Sequence, residues 1–98
     1  MPSPTVDVVL PVYNEEKDLP RSIDILSKFL EDNLENPWRI VIADNGSTDD
    51  TLSIAKALST EHTGVTCVHI PRKGRGFALR QVWLDSTADI VSYMDVDL

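Results

Sequence analysis

The sequence has little that would suit it to the outside of a cell or the inside of a bilayer. It contains one cysteine, Cys67, so no internal disulfide can form. A lone thiol within an apolar run suits a reducing compartment and reads as a small hydrophobe. No apolar stretch approaches the roughly 20 residues needed to span a membrane. Met1-Pro2-Ser3-Pro4 lacks the basic region and apolar core of a signal peptide. Basic residues are scarce, nine Lys and Arg against sixteen Asp and Glu, for a formal net charge of −7. That balance excludes the broad basic surface on which nonspecific nucleic-acid binding depends. No repeat, low-complexity segment or linker interrupts the chain, and no Ser/His/Asp or Cys/His arrangement can be assembled from it. The expected location is the cytoplasm, with attachment to the membrane's cytoplasmic face left to parts of a longer protein.

What is present is ordinary for one small folded domain: 98 residues, 42% hydrophobic and 26% charged. A chain of this length buries only about 60–65% of its unfolded surface. Thr5 to Val12 is nearly continuous apolar and β-branched, as in a strand covered on both faces. Asp18 can cap a following helix, with Pro20 in its first turn. Leu19, Ile23, Leu26, Phe29 and Leu30 then recur at helical spacing to about Asn33. Trp38 to Ala43 forms a second strand. Ser47-x-x-Asp50 resembles a capping box opening a helix with Leu52, Ala55 and Leu58. Val65 to Ile70 is a third strand, Phe77 to Trp83 suggests a third helix, and Ile90 to Met94 reads as a buried fourth strand.

The order β-α-β-α-β-α-β predicts an α/β fold, a Rossmann-like parallel sheet with right-handed crossovers and strand order 3-2-1-4. Ligands bind such sheets at the carboxyl ends of strands where the order reverses, which lies between strands 1 and 4. The loops there hold Tyr13, Asn14, Glu15 and Glu16 on one side and Asp95-Val96-Asp97 on the other. Topology alone therefore gathers the most polar loops around one site.

Asp95 and Asp97 would repel each other at a strand's end unless a cation lay between them. Mg²⁺ and Mn²⁺ prefer oxygen ligands and bridge carboxylates to phosphates; the bland alternative is an acidic turn. Asp44-Asn45-Gly46 is either a β-α turn closed by its own side chains or a place where Asp44 accepts hydrogen bonds from a nucleobase edge. Arg72, Lys73, Arg75 and Arg80 concentrate four of the nine basic residues around Gly74 and Gly76. Such a loop leading into a helix suits an anion, although a solvated basic loop would look the same. Neither the dinucleotide fingerprint nor the P-loop pattern is present. Tyr13 could stack on a base and Glu15 hold ribose hydroxyls, or both could serve packing and the helix start. His62, His69, Trp38 and Trp83 have no partners at catalytic spacing and read as structural or surface residues.

Four stretches in order, V-V-L-P-V-Y-N-E-E (8–16), I-A-D-N-G-S-T-D-D-T (42–51), K-G-R-G-F-A-L-R (73–80) and Y-M-D-V-D-L (93–98), resemble the N-terminal half of an inverting, family 2 nucleotide-sugar glycosyltransferase of the GT-A fold. Within it, the opening and ending look most like the dolichyl- or polyprenyl-phosphate sugar synthases. The resemblance implies that Pro11, Tyr13 and Glu15 line the nucleoside pocket and that Asp44, with Asn45 beside it, faces the base. Lys73 and Gly74 would approach the nucleotide. Asp95 would touch ribose or metal, Val96 would lie between the two carboxylates at the donor, and Asp97 would bind Mg²⁺ or Mn²⁺ at the diphosphate. Asn45 and Asp50 depart from the common D-D-x-S-x-D-G-T form, which leaves the base, UDP or GDP, open.

The implied partners are a nucleoside-diphosphate sugar and a polyprenyl phosphate or glycan acceptor. No catalytic base is assigned, because the acceptor-binding half of the family's domain is expected to follow Leu98. Two other readings stand beside this one. One is a noncatalytic nucleotide- or partner-binding domain resembling a receiver domain. The other is a fragment that self-associates through an exposed sheet edge.

Overall fold

The computed structural model describes residues 4–70, 86 and 88–94. Along the chain run β1 (Val6–Val12), α1 (Leu19–Asn33), β2 (Trp38–Asn45), α2 (Thr51–Glu61), β3 (Val65–Ile70) and β4 (Ile90–Tyr93). The four strands form one parallel sheet in the order β3-β2-β1-β4, as the α/β pattern predicts. The third helix expected over 77–83 and the basic loop of 72–80 lie outside the described residues.

Period-two alternation divides the apolar strand residues between the faces of the sheet. Val8, Leu10, Val12, Ile40, Ile42 and Val65 pack with Leu19, Ile23, Leu26 and Leu30 of α1 and Ala55 and Leu58 of α2. Val9, Val41, Ala43 and Ile70 form a smaller cluster on the other face. Helical spacing selects the buried stripe of α1, but Phe29 is 59% exposed. Phe29 stands one residue before Leu30, about 100° around the helix from it, and falls outside the stripe.

Pro20 sits in the first turn of α1, where its missing N–H costs nothing. The expected side-chain caps do not form. Asp18 and Asp50 occupy the N-cap positions, and neither side chain makes a capping hydrogen bond. Ser47 is not part of a capping box, because the N-cap falls three residues later at Asp50; its Oγ accepts the N–H of Asn14 at 3.0 Å. Thr51 N–H is instead satisfied by Asp49 Oδ1 at 2.9 Å.

The fourth strand is not buried. It pairs only with β1, so among the described residues it is an edge, with Ile90 48% and Met94 38% exposed. Its apolar composition matched a central strand because sequence does not show which strand lacks a second neighbour. Pro11, within β1, has no N–H to give a ladder. Odd-numbered residues of β1 turn their backbone groups toward β4, as Thr5 and Val9 do in accepting the N–H groups of Ile90 and Met94. Among the described residues the β1–β4 register ends at Val9 opposite Tyr93, and Pro11, the next residue of β1 facing β4, has no N–H with which to extend it.

Candidate functional site: the carboxyl edge of the sheet

Parallel register sets which residues meet at the carboxyl edge. Val12 lies opposite Asp44, Asp44 opposite His69, and Asn45 opposite Ile70. Alternation places Asp44 and His69 on the face that holds Ile40, Ile42 and Cys67. Asp44 is fully buried, and its Oδ2 lies 2.9 Å from Nδ1 of His69, whose side chain is 44% exposed. The other oxygen, Oδ1, is buried and has no hydrogen-bond partner among the described residues. A buried acceptor without a donor costs about 1–3 kcal/mol.

The loops after β1 and β2 are tied together across the edge. Asn14 adopts a left-handed conformation, φ 52°, which asparagine tolerates better than most residues. Its Oδ1 accepts the N–H groups of Thr48 at 2.8 Å and Asp49 at 3.3 Å, and its Nδ2 donates to Thr48 Oγ1 at 3.3 Å. Beside this clamp, Glu15 N–H donates to Thr51 Oγ1 at 2.8 Å. The Thr51 hydroxyl in turn donates to Asp49 Oδ1. Gly46, φ 69°, makes the left-handed step between β2 and its loop that a side chain would strain. Desolvation pushes the Asp49 carboxyl up. The hydrogen bonds it accepts from the Thr51 hydroxyl and from the backbone of Thr51, Glu16 and Asp49 itself outweigh that and hold it below its ordinary value.

Tyr13, 37% exposed, stands at the rim just past β1 with Glu15 two residues on, and Pro11 lies in β1 opposite Ala43. Asn45 is buried at the end of β2. The structure thus brings Pro11, Tyr13, Glu15, Asp44 and Asn45 to one edge. Lys73, Gly74, Asp95, Val96 and Asp97 lie outside the described residues. The ladder that leads toward the last three ends with Met94 N–H donating to Val9 O at 3.0 Å. Among the described residues no group of three His, Cys, Asp or Glu could hold a metal ion, and no helix is long and apolar enough to cross a membrane.

Sequence reasoning missed two contributors. His69 read as an isolated residue, yet it is the register partner of Asp44. Both stand one residue before the end of their strands, and aligning those ends would have paired them. Asn14 was seen only as part of a polar loop. Its neighbours Ser47, Thr48 and Asp49 lie more than thirty residues away, beyond the reach of any local pattern.

A four-stranded parallel sheet in the order 3-2-1-4 matches the N-terminal domains of GT-A glycosyltransferases. The chain belongs to glycosyl transferase family 2, whose model matches residues 7–98. It is 31% identical to a dolichyl-phosphate beta-glucosyltransferase from Drosophila melanogaster, over 98% of this chain and 32% of that protein. It superposes with a TM-score of 0.82 on a mannosyltransferase from Pyrobaculum calidifontis solved with GDP-Man and Mn²⁺, at 27% identity over 97% of this chain and 28% of the other. The glucosyl-3-phosphoglycerate synthase from Mycobacterium tuberculosis, solved with Mn²⁺, UDP and glucosyl-3-phosphoglycerate, gives 0.71 at 31% identity over 95% of this chain and 33% of the other. The chain therefore spans about a third of the length of these proteins. Family membership replaces the receiver-like reading.

Proposed function

We propose that these residues form the donor-binding half of a metal-dependent glycosyltransferase. The whole protein would transfer a sugar, with inversion, from a nucleoside-diphosphate sugar to a polyprenyl phosphate or glycan. The observation that carries this reading is Asp44, a buried carboxylate with one oxygen unpaired, at the edge where Tyr13 and Glu15 also stand. An N–H on a base would satisfy that oxygen, Tyr13 offers a face for stacking, and Glu15 offers an acceptor for ribose hydroxyls.

Asp95 and Asp97 supply the oxygen donors that Mg²⁺ and Mn²⁺ prefer, and they follow directly on the strand that ends beside β1. The bound metal would neutralise charge on the departing nucleoside diphosphate. Lys73 and Gly74 would approach the same phosphates. A glycan hydroxyl would need a general base to attack the anomeric carbon, whereas a polyprenyl phosphate is already an anion and would not. A membrane-borne acceptor would draw the whole protein to the cytoplasmic face. The open edge of β4, with Ile90 exposed, would allow self-association of the isolated chain, which Ile90→Lys should reduce in sedimentation.

Calorimetry tests the donor site. The 98-residue chain should bind UDP or GDP weakly, only with Mn²⁺ or Mg²⁺, and transfer no sugar. Asp97→Ala should remove the metal dependence and Asp44→Ala should weaken binding about tenfold, the effect of one lost hydrogen bond to a charged group. Equal binding by wild type and Asp97→Ala, or binding indifferent to metal, would overturn the metal assignment.

A further inference from the structure

The bond between Asp44 and His69 bears on which base the site accepts, a question the solved relatives leave open because one carries GDP-Man and another UDP. A carboxylate with both oxygens free presents two acceptors side by side, which match the adjacent N1–H and N2–H donors of guanine. Uracil offers a single donor, N3–H, flanked by two carbonyl oxygens. A second carboxylate oxygen facing that edge would meet a carbonyl and be repelled by it. In this chain His69 already engages the second oxygen. Nδ1 lies 2.9 Å from Oδ2, and a carboxylate only accepts, so Nδ1 carries the hydrogen. What remains is one unpaired oxygen, Oδ1.

We propose that His69 is a positioning residue that makes Asp44 a single acceptor and so selects a uracil nucleotide over a guanine nucleotide. The inference rests on the donor-site reading above and goes beyond it in naming the base. His69 is suited to the task by its place. Its backbone is held in register opposite Asp44 by the β2–β3 ladder, and its side chain, half exposed, reaches the carboxylate from the adjoining strand. Neither Cys67 nor Ile70, its neighbours along β3 by one face or the next, could donate to the carboxylate as strongly.

The test is the ratio of UDP to GDP affinity, measured by calorimetry on the 98-residue chain with Mn²⁺, alongside CDP and ADP. UDP should bind at least about tenfold more tightly than GDP, the discrimination expected of one matched hydrogen-bonding edge. His69→Asn keeps an N–H donor near the position of Nδ1 and should retain the ratio. His69→Leu frees Oδ2 and should bring the ratio toward one, mainly by improving GDP relative to UDP. A merely structural role for His69 would lower both affinities together and leave the ratio alone.

Equal or tighter binding of GDP by wild type would overturn the inference, as would CDP or ADP binding as tightly as UDP. So would a folded His69→Leu variant with an undiminished ratio. If that variant does not fold, His69→Ala, which also lacks a donor, takes its place and should likewise bring the ratio toward one. Binding of no nucleotide at all would overturn the donor-site reading, and this inference with it. A preference for GDP would overturn this inference alone.

Discussion

The side-chain oxygen of Asn14 accepts the backbone N–H of Thr48 at 2.8 Å, joining the loop after β1 to the loop after β2. The bond holds Tyr13 and Glu15 in a constant relation to the end of β2, where Asp44 and Asn45 stand. Asn14→Gly keeps the left-handed backbone but removes every side-chain bond, and should cost about 1–3 kcal/mol. Asn14→Ala adds backbone strain at φ 52° and should cost more. Chemical denaturation of the two variants orders the losses, and Asn14→Gly should also weaken nucleotide binding.

At the opposite edge Asp7 is buried within the sheet and takes both Nε and Nη2 of Arg39, at 3.1 and 2.6 Å, as well as the hydroxyl of Ser86 at 2.8 Å. The pair is asymmetric, because the Arg39 side chain is 44% exposed and that of Asp7 only 5%. Removing the arginine strands a buried carboxylate, whereas removing the aspartate leaves a solvated guanidinium. Arg39→Leu should therefore cost about 2–4 kcal/mol, and Asp7→Asn less. Thermal melts that reverse this order would contradict the account.

Gly64 lies against Trp38, and a Cβ added there would come within 2.7 Å of the indole ring. The ring must shift to admit a methyl group. Gly64→Ala should destabilise the fold by about 1–3 kcal/mol, as overpacking does. A Trp38 fluorescence spectrum shifted from wild type in the folded protein would report the displaced ring. An unchanged melting temperature would contradict the prediction.

Burial pushes the Cys67 thiol above its ordinary value of 9.0, the negative charge of Asp44 adds to this, and Lys56 opposes it. The thiolate is the reactive form, so iodoacetamide should alkylate native Cys67 more slowly than unfolded chain at neutral pH. Asp44→Asn should speed the reaction and Lys56→Gln should slow it. The raised value has a consequence for stability too. The folded state holds the proton more tightly than the unfolded one, so the contribution is complete below about pH 9 and is lost as pH rises above it. Cys67→Ser should flatten that alkaline fall in denaturation curves.

The extent of what was legible varies by element. The strands Val6–Val12 and Val65–Ile70 were evident from β-branched runs, and α1 from its Leu19, Ile23, Leu26, Leu30 stripe. The caps were not, because Ser47 and Asp49 have partners both near and far, and the sequence shows only the near ones. Asp44 was visible as a candidate at a strand's end but stood level with a simple turn. Its burial and its unpaired oxygen belong to the folded sheet and have no local signature. Phe29 and β4 misled for one reason: an apolar residue looks the same whether or not something covers it.

Local chemistry is written residue by residue. Backbone preference, apolar period and turn residues act over a few positions, so the sequence by itself determined the kinds of element, their order and hence the 3-2-1-4 parallel sheet. Register is a relation between strands that lie far apart in the chain, and it is decided only when the sheet closes. That step set His69 against Asp44, Asn14 against Thr48 and Asp7 against Arg39. It thereby turned an acidic residue in a polar loop into a buried carboxylate with one oxygen left to give.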